Sequence, residues 1–525
     1  MGYWDEAPLP RDQIVLIPTT LGDCVPDDHP VRLFCEILSS LDWSGWEQHY
    51  CRVAGQPAIP PMIVAGAILY GMSQGIRSSR RLEWACGNAV DFMWLVEGRH
   101  IDHSTFCNFR TRFERELKDL FRQIGRLAMG MGLIRLNQVG LDGSKVRANS
   151  SPHATASAKT LEERIQALNA QIEEMFAAAR QTDQREQDLF GEAVSANALP
   201  AELADLKRRQ AALQKALEAA RKIDSKRQQR KDAPKKAAKV PVADPESSVL
   251  PNKEGGYAPN HTPLAAVDGQ AGLIVDCDVI AAGAIEAEAV IPAIERIEAN
   301  FEAAPRQLLA DAAFPTGANL TDLESRGVEP IMPAEPARLD EQNPARRADP
   351  TQPVAEADWP KLPQNPQSKK LDKAAFVYDA GQDGYYCPMG RRMEPTKVMR
   401  DRRQGGDSIY QIYRCPDCSG CPLAGECLSR KAESRSVACD QHESAREALA
   451  ARMKTPAARA TYARRAWLAE TPNAVIKAWM GLRQFLLRGL DKVRTEWRWA
   501  CTAYNLRKMV RIVAGLRARL AMVVG

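Results

Sequence analysis

A chain of 525 residues, 45% hydrophobic and 26% charged, is long enough to bury a sizeable core and to hold several structural units. No run of eighteen apolar residues occurs, and the opening MGYWDEAPLPRDQ has neither the basic start nor the apolar stretch of a secretory signal, so no membrane is expected and a cytoplasmic protein is. The formal net charge of +5 is mild, so any case for nucleic acid has to rest on local clusters of bases.

Residues 25 to 135 read as helical. PPMIVAGAILYGMSQGIRSSRRLEWACG spaces its apolar residues by three and four, with Pro60 and Pro61 marking a helix start. HSTFCNFRTRFERELKDLFRQI offers Ser104 as an N-cap and alternates aromatic residues with Arg110, Arg112 and Arg115. That suits a DNA-binding helix-turn-helix, or a helix with Phe towards the core and Arg towards water.

From 139 to 147 the pattern turns strand-like, and it is not expected to resume before about residue 257. In between, Leu161, Ile165, Leu168, Ile172 and Met175, then Leu199, Leu203, Leu206, Leu213 and Leu217, follow heptad spacing. They predict an antiparallel helical hairpin joined by a loop containing Pro200. Residues 221 to 239 carry nine bases against two acids, a segment for phosphate or simply a solvated charge run.

From Tyr257 the text is α/β. PLAAVDGQAGLIVDCDVI predicts a hairpin turned at Asp268 and Gly269, AIEAEAVIPAIERIEANF a helix, RQLLAD a buried strand, NLTDLESRG a helix ending at Gly327, and VEPIMPA another strand. Residues 335 to 375, rich in Pro, Asp, Gln and Lys, read as a long loop or insert. A cysteine cluster follows, and residues 445 to 520 return to basic helix. There Arg483, Arg488, Lys492, Arg494, Arg498, Arg507 and Lys508 are interleaved with Trp479, Phe485, Trp497, Trp499 and Tyr504; the rings read as core and the bases as phosphate binders.

Two features carry chemistry. Two strands end in an acid, VGLD at Asp142 and RQLLAD at Asp311. Carboxylates at the tips of adjacent strands are how an α/β sheet offers oxygen ligands to Mg²⁺, two such ions about 4 Å apart serving phosphodiester displacement. A single strand-end Asp is more often a turn residue, so the pair gains meaning only in context. The second feature is cysteine. Thirteen in such a chain argue against a disulfide framework, and six lie between Cys387 and Cys439. Cys387, Cys415, Cys418 and Cys427, with Cys421 as alternate, could satisfy tetrahedral Zn²⁺; reduced thiols without metal are the plain alternative.

VGLDGSKVRANSS, GGYAPNHTPLAAVDGQAGLIVDCDV, LLADAAFPTGANLTDLESRGVEPIMPA and RRAWLAETPNAVIKAWMGLRQFLLRGLDKVRTEWRWACTAYNLRKM resemble successive blocks of a DDE transposase from a bacterial insertion sequence, with the IS-eleven-eighty-two group as the nearest subgroup. VPDDHPVRLFCEIL, GQPAIPPMIVAGAILYGMSQGIRSSRRLEWAC and IDHSTFCNFRTRF are similar to the helical N-terminal domain of that group.

The resemblance implies an α/β RNase H-like catalytic core, a mixed sheet with flanking helices. An all-α N-terminal domain (1–135), an inserted helical hairpin with basic linker (159–245) and an inserted cysteine-rich module behind a Pro-rich loop (335–445) would accompany it. The core itself would comprise a first strand (136–158), a continuation (246–334) and a basic helical C-terminal part (446–525).

The resemblance also implies a metal site of Asp142, Asp311 and Glu470 holding Mg²⁺ or Mn²⁺, two ions in all. Lys477, seven residues after the Glu, would share a helix face with it and reach a DNA phosphate. Tyr462 and Arg465 sit one residue further from Glu470 than the resembled motif has them. Pro472 suggests a helix start near the Glu with Thr471 as N-cap, Glu496 is the nearest rival, and a solvated helix acid is the plain reading.

Gly143 and Ser144 would leave room for a phosphate. Lys145, Arg147, Arg110, Arg112, Arg465, Arg483 and Arg488 are the candidate DNA-binding bases. Double-stranded DNA, both element ends and target, is the expected partner, and synapsis of two ends implies a homodimer or larger. An RNase H-like nuclease without strand transfer, or a non-cutting DNA-binding regulator descended from a transposase, are the rival functions.

Overall fold

The computed structural model describes residues 20–50, 57–190, 201–228, 237–251, 255–340, 342–379, 381–401, 408–430 and 432–524. Leu199, Pro200 and the middle of the basic run lie outside them, as does the side chain of Leu203. The chain divides into two compact units: residues 1–128, 475–482 and 498–525 form one, and residues 129–474 and 483–497 the other. No helix among the described residues is long and apolar enough to cross a membrane.

The first unit begins with α1 (Pro30–Ser39), α2 (Ser44–Glu47), α3 (Pro61–Ser73), α4 (Ser79–Asn88), α5 (Val90–Leu95), α6 (His103–Arg112) and α7 (Glu114–Gly130). Pro60 and Pro61 open α3 as expected, and this helix is buried almost all round because its PMIVAGAILYG text has no polar face. The expected N-cap of α6 is corrected: Asp102, not Ser104, caps it, its carboxylate accepting from the Ser104 N–H at 2.7 Å. A carboxylate one position before the first helical residue reaches that N–H, whereas Ser104 is already inside the first turn.

Phe106, Phe109 and Phe113 are core residues. Trp46 stacks on Phe109 with centroids 5.4 Å apart and lies 6.2 Å from Trp499, which donates to the Arg110 carbonyl.

The second unit is built on β1 (Gln138–Gly143), β2 (Val146–Arg147), β3 (Thr155–Ser157), α8 (Ala158–Phe190), α9 (Ala201–Gln228), β4 (Lys239–Pro241), β5 (Ser248–Pro251), β6 (Tyr257–Asp268), β7 (Ile274–Ile280), α10 (Val290–Phe301), β8 (Gln307–Leu309), α11 (Gly317–Ser325), β9 (Glu329–Ile331) and α12 (Pro336–Leu339). Then come β10 (Val377–Asp379), β11 (Gly384–Tyr386), β12 (Arg392–Asp401), β13 (Ser408–Arg414), α13 (Ala424–Cys427), β14 (Ser436–Asp440), α14 (Glu443–Lys454) and α15 (Pro456–Ala474). The last helix, α16 (Leu490–Val524), has its first residues in this unit and the remainder in the first.

β6 pairs antiparallel with β1 through residues 264 to 268 on one side and with β7 through residues 262 to 267 on the other, while β1, β8 and β9 run parallel. The order β7-β6-β1-β8-β9, three parallel strands flanked by an antiparallel hairpin, is compatible with an RNase H-like core. The lower half of β6 pairs instead with β2 and β5.

Three short strands therefore precede Tyr257, against expectation. TAS, KVP and SVLP are too short to display a period of two, and β3 and β4 find each other only across the hairpin α8–α9. That hairpin is antiparallel: Arg221 on α9 reaches Glu162 at 2.8 Å and Gln210 reaches Asn169 at 2.6 Å. Leu161, Ala216 and Ala220 pack with Val240 at its base.

Strands β10 to β14 form an antiparallel meander. The Pro-rich segment is no free loop. Its Ala345, Val354, Leu362 and Leu371 share the core of the meander with Cys387, Cys415 and Cys427, and the Val354 N–H donates to the Pro388 carbonyl at 2.8 Å. With only short helical turns it still buries apolar surface, one side chain at a time, which sequence patterning does not register.

Candidate metal centres and basic surface

Gly140 of β1 stands opposite Leu309 of β8 in the parallel ladder. Asp142 lies two residues beyond Gly140 and Asp311 two beyond Leu309, so the register brings both acids to the same level at the carboxyl ends of neighbouring parallel strands. This is where open α/β sheets hold ligands.

The third acid arrives on α15. A Cβ on Gly140 would come within 2.9 Å of Leu468 Cβ, so the glycine lets the helix lie directly on β1, with Glu470 two residues beyond the contact. Arg465 on the same helix puts Nη1 3.5 Å from Asp142 Oδ1, and its guanidinium lies 5.9 Å over the Tyr462 ring. Burial raises the Asp142 carboxyl above its ordinary range, and the charges of Asp311 and Glu470 push it the same way. Arg465 and the Gly143 N–H oppose them. Asp311 and Glu470 thus both act electrostatically on Asp142.

Two expectations about Glu470 are corrected. No helix starts beside it: α15 begins at Pro456 and runs through Pro472 to Ala474. Pro472 cannot donate to its ladder, Asn473 Nδ2 bonds the Ala469 carbonyl at 2.9 Å, and from Val475 to Trp479 the helix widens to a π turn. Glu470 and Lys477 are therefore not joined by two uninterrupted α-turns, and the shared-face argument loses its premise. Lys477 sits in the π turn, which belongs to the first unit. The rival Glu496 is buried and accepts the backbone N–H groups of Leu486 and Leu487 at 3.0 Å, holding a turn.

One acid escaped sequence reasoning. Glu286 opens the 3₁₀ turn Glu286–Ala289 after β7, and a Cβ on Gly143 would meet its Oε1 at 3.0 Å. The room at Gly143 is taken by this carboxylate rather than left for a phosphate. Burial, then the charges of Asp311 and Asp142, raise the Glu286 carboxyl, against Lys145. EAEA at a helix start reads as solvated acids, and only the sheet brings it to β1.

The candidate bases separate into groups. Arg147, Arg483 and Arg488 share one edge of the second unit: the Arg147 N–H donates to the Arg483 carbonyl, the Phe485 N–H to the Arg147 carbonyl at 2.9 Å, and Arg488 Nε to the Asn149 carbonyl at 2.8 Å. The side chains of Arg147, Arg483 and Lys145 are exposed there, Lys145 reaching the Pro251 carbonyl at 3.3 Å. Arg465 faces Asp142 instead. In the first unit Arg110 turns inward, donating to the Arg77 carbonyl at 2.6 Å, while Arg112 is exposed beside the Tyr50 and Phe113 rings. Of the C-terminal rings, Phe485, Trp497, Trp499 and Tyr504 are buried and Trp479 is half exposed.

Cys387, Cys415, Cys418, Cys421 and Cys427 line one small cavity with Leu371, Leu423 and Arg435. No disulfide joins them. Hydrogen bonding from Cys415, with backbone N–H groups nearby, lowers the Cys387 thiol to about 6, while burial holds Cys427 up at about 11. Thiols lining one cavity, with one of them lowered, are the donor chemistry of a soft or borderline cation and would suit Zn²⁺, although no three of their sulfurs lie within 4.8 Å of one another. Cys439, on β14, is spent elsewhere, beside Tyr385 and Lys373.

Among the described residues, only Glu83, Asp102 and His103 bring three potential ligand atoms within 4.8 Å of one another. Asp102 is the α6 cap and His103 pairs with Glu83 at 3.0 Å, so capping and ion pairing account for that group. The acids around Asp142 are spaced more widely. A centre for two ions spans more than one ion's ligand sphere.

Residues 386–510 match the family model described as a transposase DDE domain, and residues 19–112 match that of a transposase domain known as DUF772. The first match covers the cysteines and Glu470 and stops short of Asp142 and Asp311. None of the curated proteins and none of the solved structures matches the chain. Together the two matches support a DDE-type transposase, a family that in general depends on divalent metal and acts on DNA.

Proposed function

We propose that the chain is an insertion-sequence transposase that cuts DNA at the element ends and joins the freed 3′-hydroxyl to target DNA. The observation that carries this reading is the level placement of Asp142 and Asp311 at the ends of neighbouring parallel strands, with Glu470 on α15 acting on Asp142. Asp142, Asp311 and Glu470 would hold Mg²⁺ or Mn²⁺. Bound there, the ions would activate a water or 3′-hydroxyl and stabilise the leaving oxygen.

The remaining roles belong to other side chains. Arg465 orients Asp142 through its 3.5 Å contact and steadies the carboxylate while the acids carry like charge. Lys145, Arg147, Arg483 and Arg488 supply a basic edge for the DNA backbone, and Lys477 is a further phosphate contact. The cysteine set would hold a structural Zn²⁺ that closes the meander, and the helical first unit would recognise element ends, pair subunits, or both. Synapsis needs two ends and hence at least two copies of the chain.

Pre-cut element ends incubated with plasmid and Mg²⁺ test the reading. Covalent end-to-target products that vanish in Asp142→Ala and Asp311→Ala are expected. Hydrolysis without joining would replace the transposase by a nuclease of the same fold. Binding without any cutting in Mg²⁺ or Mn²⁺ would leave a DNA-binding regulator, and cutting that survives Asp142→Ala would refute the site.

A further inference from the structure

The basic run between the helical hairpin and the sheet has no part in the function proposed above, yet its two described ends meet in one place. Asp224 Oδ1 on α9 accepts the Ala238 N–H at 2.8 Å, which brings the chain after the run back to the helix it left. Arg227, before the middle of the run, and Lys239, after it, line one open cleft of about 780 Å³, a size at which small-ligand sites occur.

The turn after β7 forms another wall, and a Cβ on its Gly283 would stand 3.6 Å from Ile223 Cγ1. Ile223, Val249, Leu250 and Ile285 give the cleft an aliphatic lining, and no acid balances the two bases there. The lining is not sealed: Ile285 is 45% exposed, and Val249 and Leu250 are half-buried. Apolar surface left to water beside unbalanced positive charge suits a ligand with an apolar body and an anionic end.

Position selects among such ligands. Ile285 precedes Glu286, whose Oε1 comes within 3.0 Å of where a Gly143 Cβ would stand, so the cleft borders the carboxyl end of β1, where Asp142 lies. A nucleotide has the required parts, a planar base for the aliphatic wall and a phosphate for the bases.

We propose that the cleft between α9, β5 and the turn after β7 binds a nucleoside phosphate, with its base against Val249, Leu250 and Ile285 and its phosphate at Arg227 and Lys239. The choice of nucleotides among amphipathic anions rests on the transposase reading. The source is a nucleotide of a DNA strand beside the cut or a free nucleotide, and the two are separated by experiment.

Photocrosslinking of the full chain locates the ligand. The probes are a single-stranded thymidylate decamer carrying one 4-thiothymidine, and 4-thiothymidine 5′-monophosphate, with crosslinked peptides mapped by mass spectrometry. Crosslinks at residues 248–250 or 283–285 are expected, suppressed by thymidine 5′-monophosphate and not by inorganic phosphate at the same concentration. Capture of the decamer there identifies a DNA strand as the source, and capture of the monophosphate alone a free nucleotide. Crosslinks confined to other segments, or equal suppression by phosphate, would overturn the proposal.

Affinity supplies a second readout. Arg227→Gln with Lys239→Gln should weaken binding of the captured probe by about 10-fold and, for the decamer, flatten the dependence of log affinity on log salt by about 0.7 per base removed. Ile285→Ser should weaken binding by about 5-fold with the salt dependence unchanged. Thermal midpoints should hold within a few degrees, since none of the three side chains is buried. Wild-type affinity in both variants would overturn the cleft as well. Joining of pre-cut ends by a chain that captures neither probe would remove the cleft and leave the transposase standing, whereas capture without joining would keep the cleft and bring down the transposase.

Discussion

The two candidate metal centres of the second unit are assembled in opposite ways. The candidate cysteines come from loops of one antiparallel meander and from the short helix α13, and they line one cavity with apolar neighbours. The carboxylates proposed for the other centre come from β1, the end of β8 and α15, which a parallel register and one helix contact bring near one another. Soft sulfur ligands at short spacing can close around a cation as a local fold. Hard oxygen ligands that must stay open to water and phosphate have to be held by a preformed scaffold, because the scaffold rather than the cation sets their spacing.

The largest effect expected from this contrast is on the cysteine side. Protein purified without chelator should carry about one equivalent of zinc, and stripping it, or replacing Cys415 by Ser, should unfold the meander. A structural Zn²⁺ contributes on the order of 10 kcal/mol to such a fold. Zinc analysis with circular dichroism before and after chelation decides this, and a folded, metal-free wild type would remove zinc from the account.

The carboxylate side should respond in activity and not in fold. Asp142→Ala and Asp311→Ala should lower strand joining by on the order of 10³-fold or more while thermal midpoints stay within a few degrees. Joint loss of activity and folding would erase the distinction between the two centres.

Scaffold dependence can be probed without touching an acid. Gly140→Val would drive a side chain into Leu468, where even a Cβ has only 2.9 Å, and should cost about 1–3 kcal/mol while displacing the helix that bears Glu470. Urea unfolding reads the first effect and Mn²⁺ titration of the full chain, with free Mn²⁺ read by electron paramagnetic resonance, the second. If Gly140→Val lowers stability but leaves Mn²⁺ affinity intact, α15 does not position the third ligand.

The smallest effect concerns the basic edge. Neutralising Arg147 or Arg483 should flatten the dependence of log affinity for DNA on log salt by about 1 unit each, uniformly across sequences. An unchanged slope would place the DNA elsewhere.

Legibility in the sequence differed in the same way between the two regions. Cys387 to Cys427 stood out as candidate ligands from residue type and spacing, and the fold gathers them around one cavity. Asp142 and Asp311 were visible as strand ends, because apolar runs that stop at an acid mark both strand and tip. Glu286 was invisible: EAEA carries no sign that a glycine on another strand has made room for it. The helix around Glu470 was misread for a local reason, Pro472, which normally opens a helix or breaks one. Here the side chain of Asn473 and a π turn absorb it. Arg110 looked like Arg112 until folding turned one inward and left the other exposed.

The sequence alone determined which segments are helix and which are strand wherever apolar periodicity ran for two turns or more, and it determined the chemical hardness of each candidate centre through its ligand types. Local periodicity and ligand chemistry are properties of neighbouring residues, so a linear text carries them. The tertiary structure alone decided that β1 and β8 lie parallel in a register that levels Asp142 with Asp311, that Gly140 and Gly143 admit α15 and Glu286, and that Glu496 is spent on a turn. Those outcomes depend on close approach between residues far apart in the chain, which is set by packing and by the absence of a side chain at two glycines.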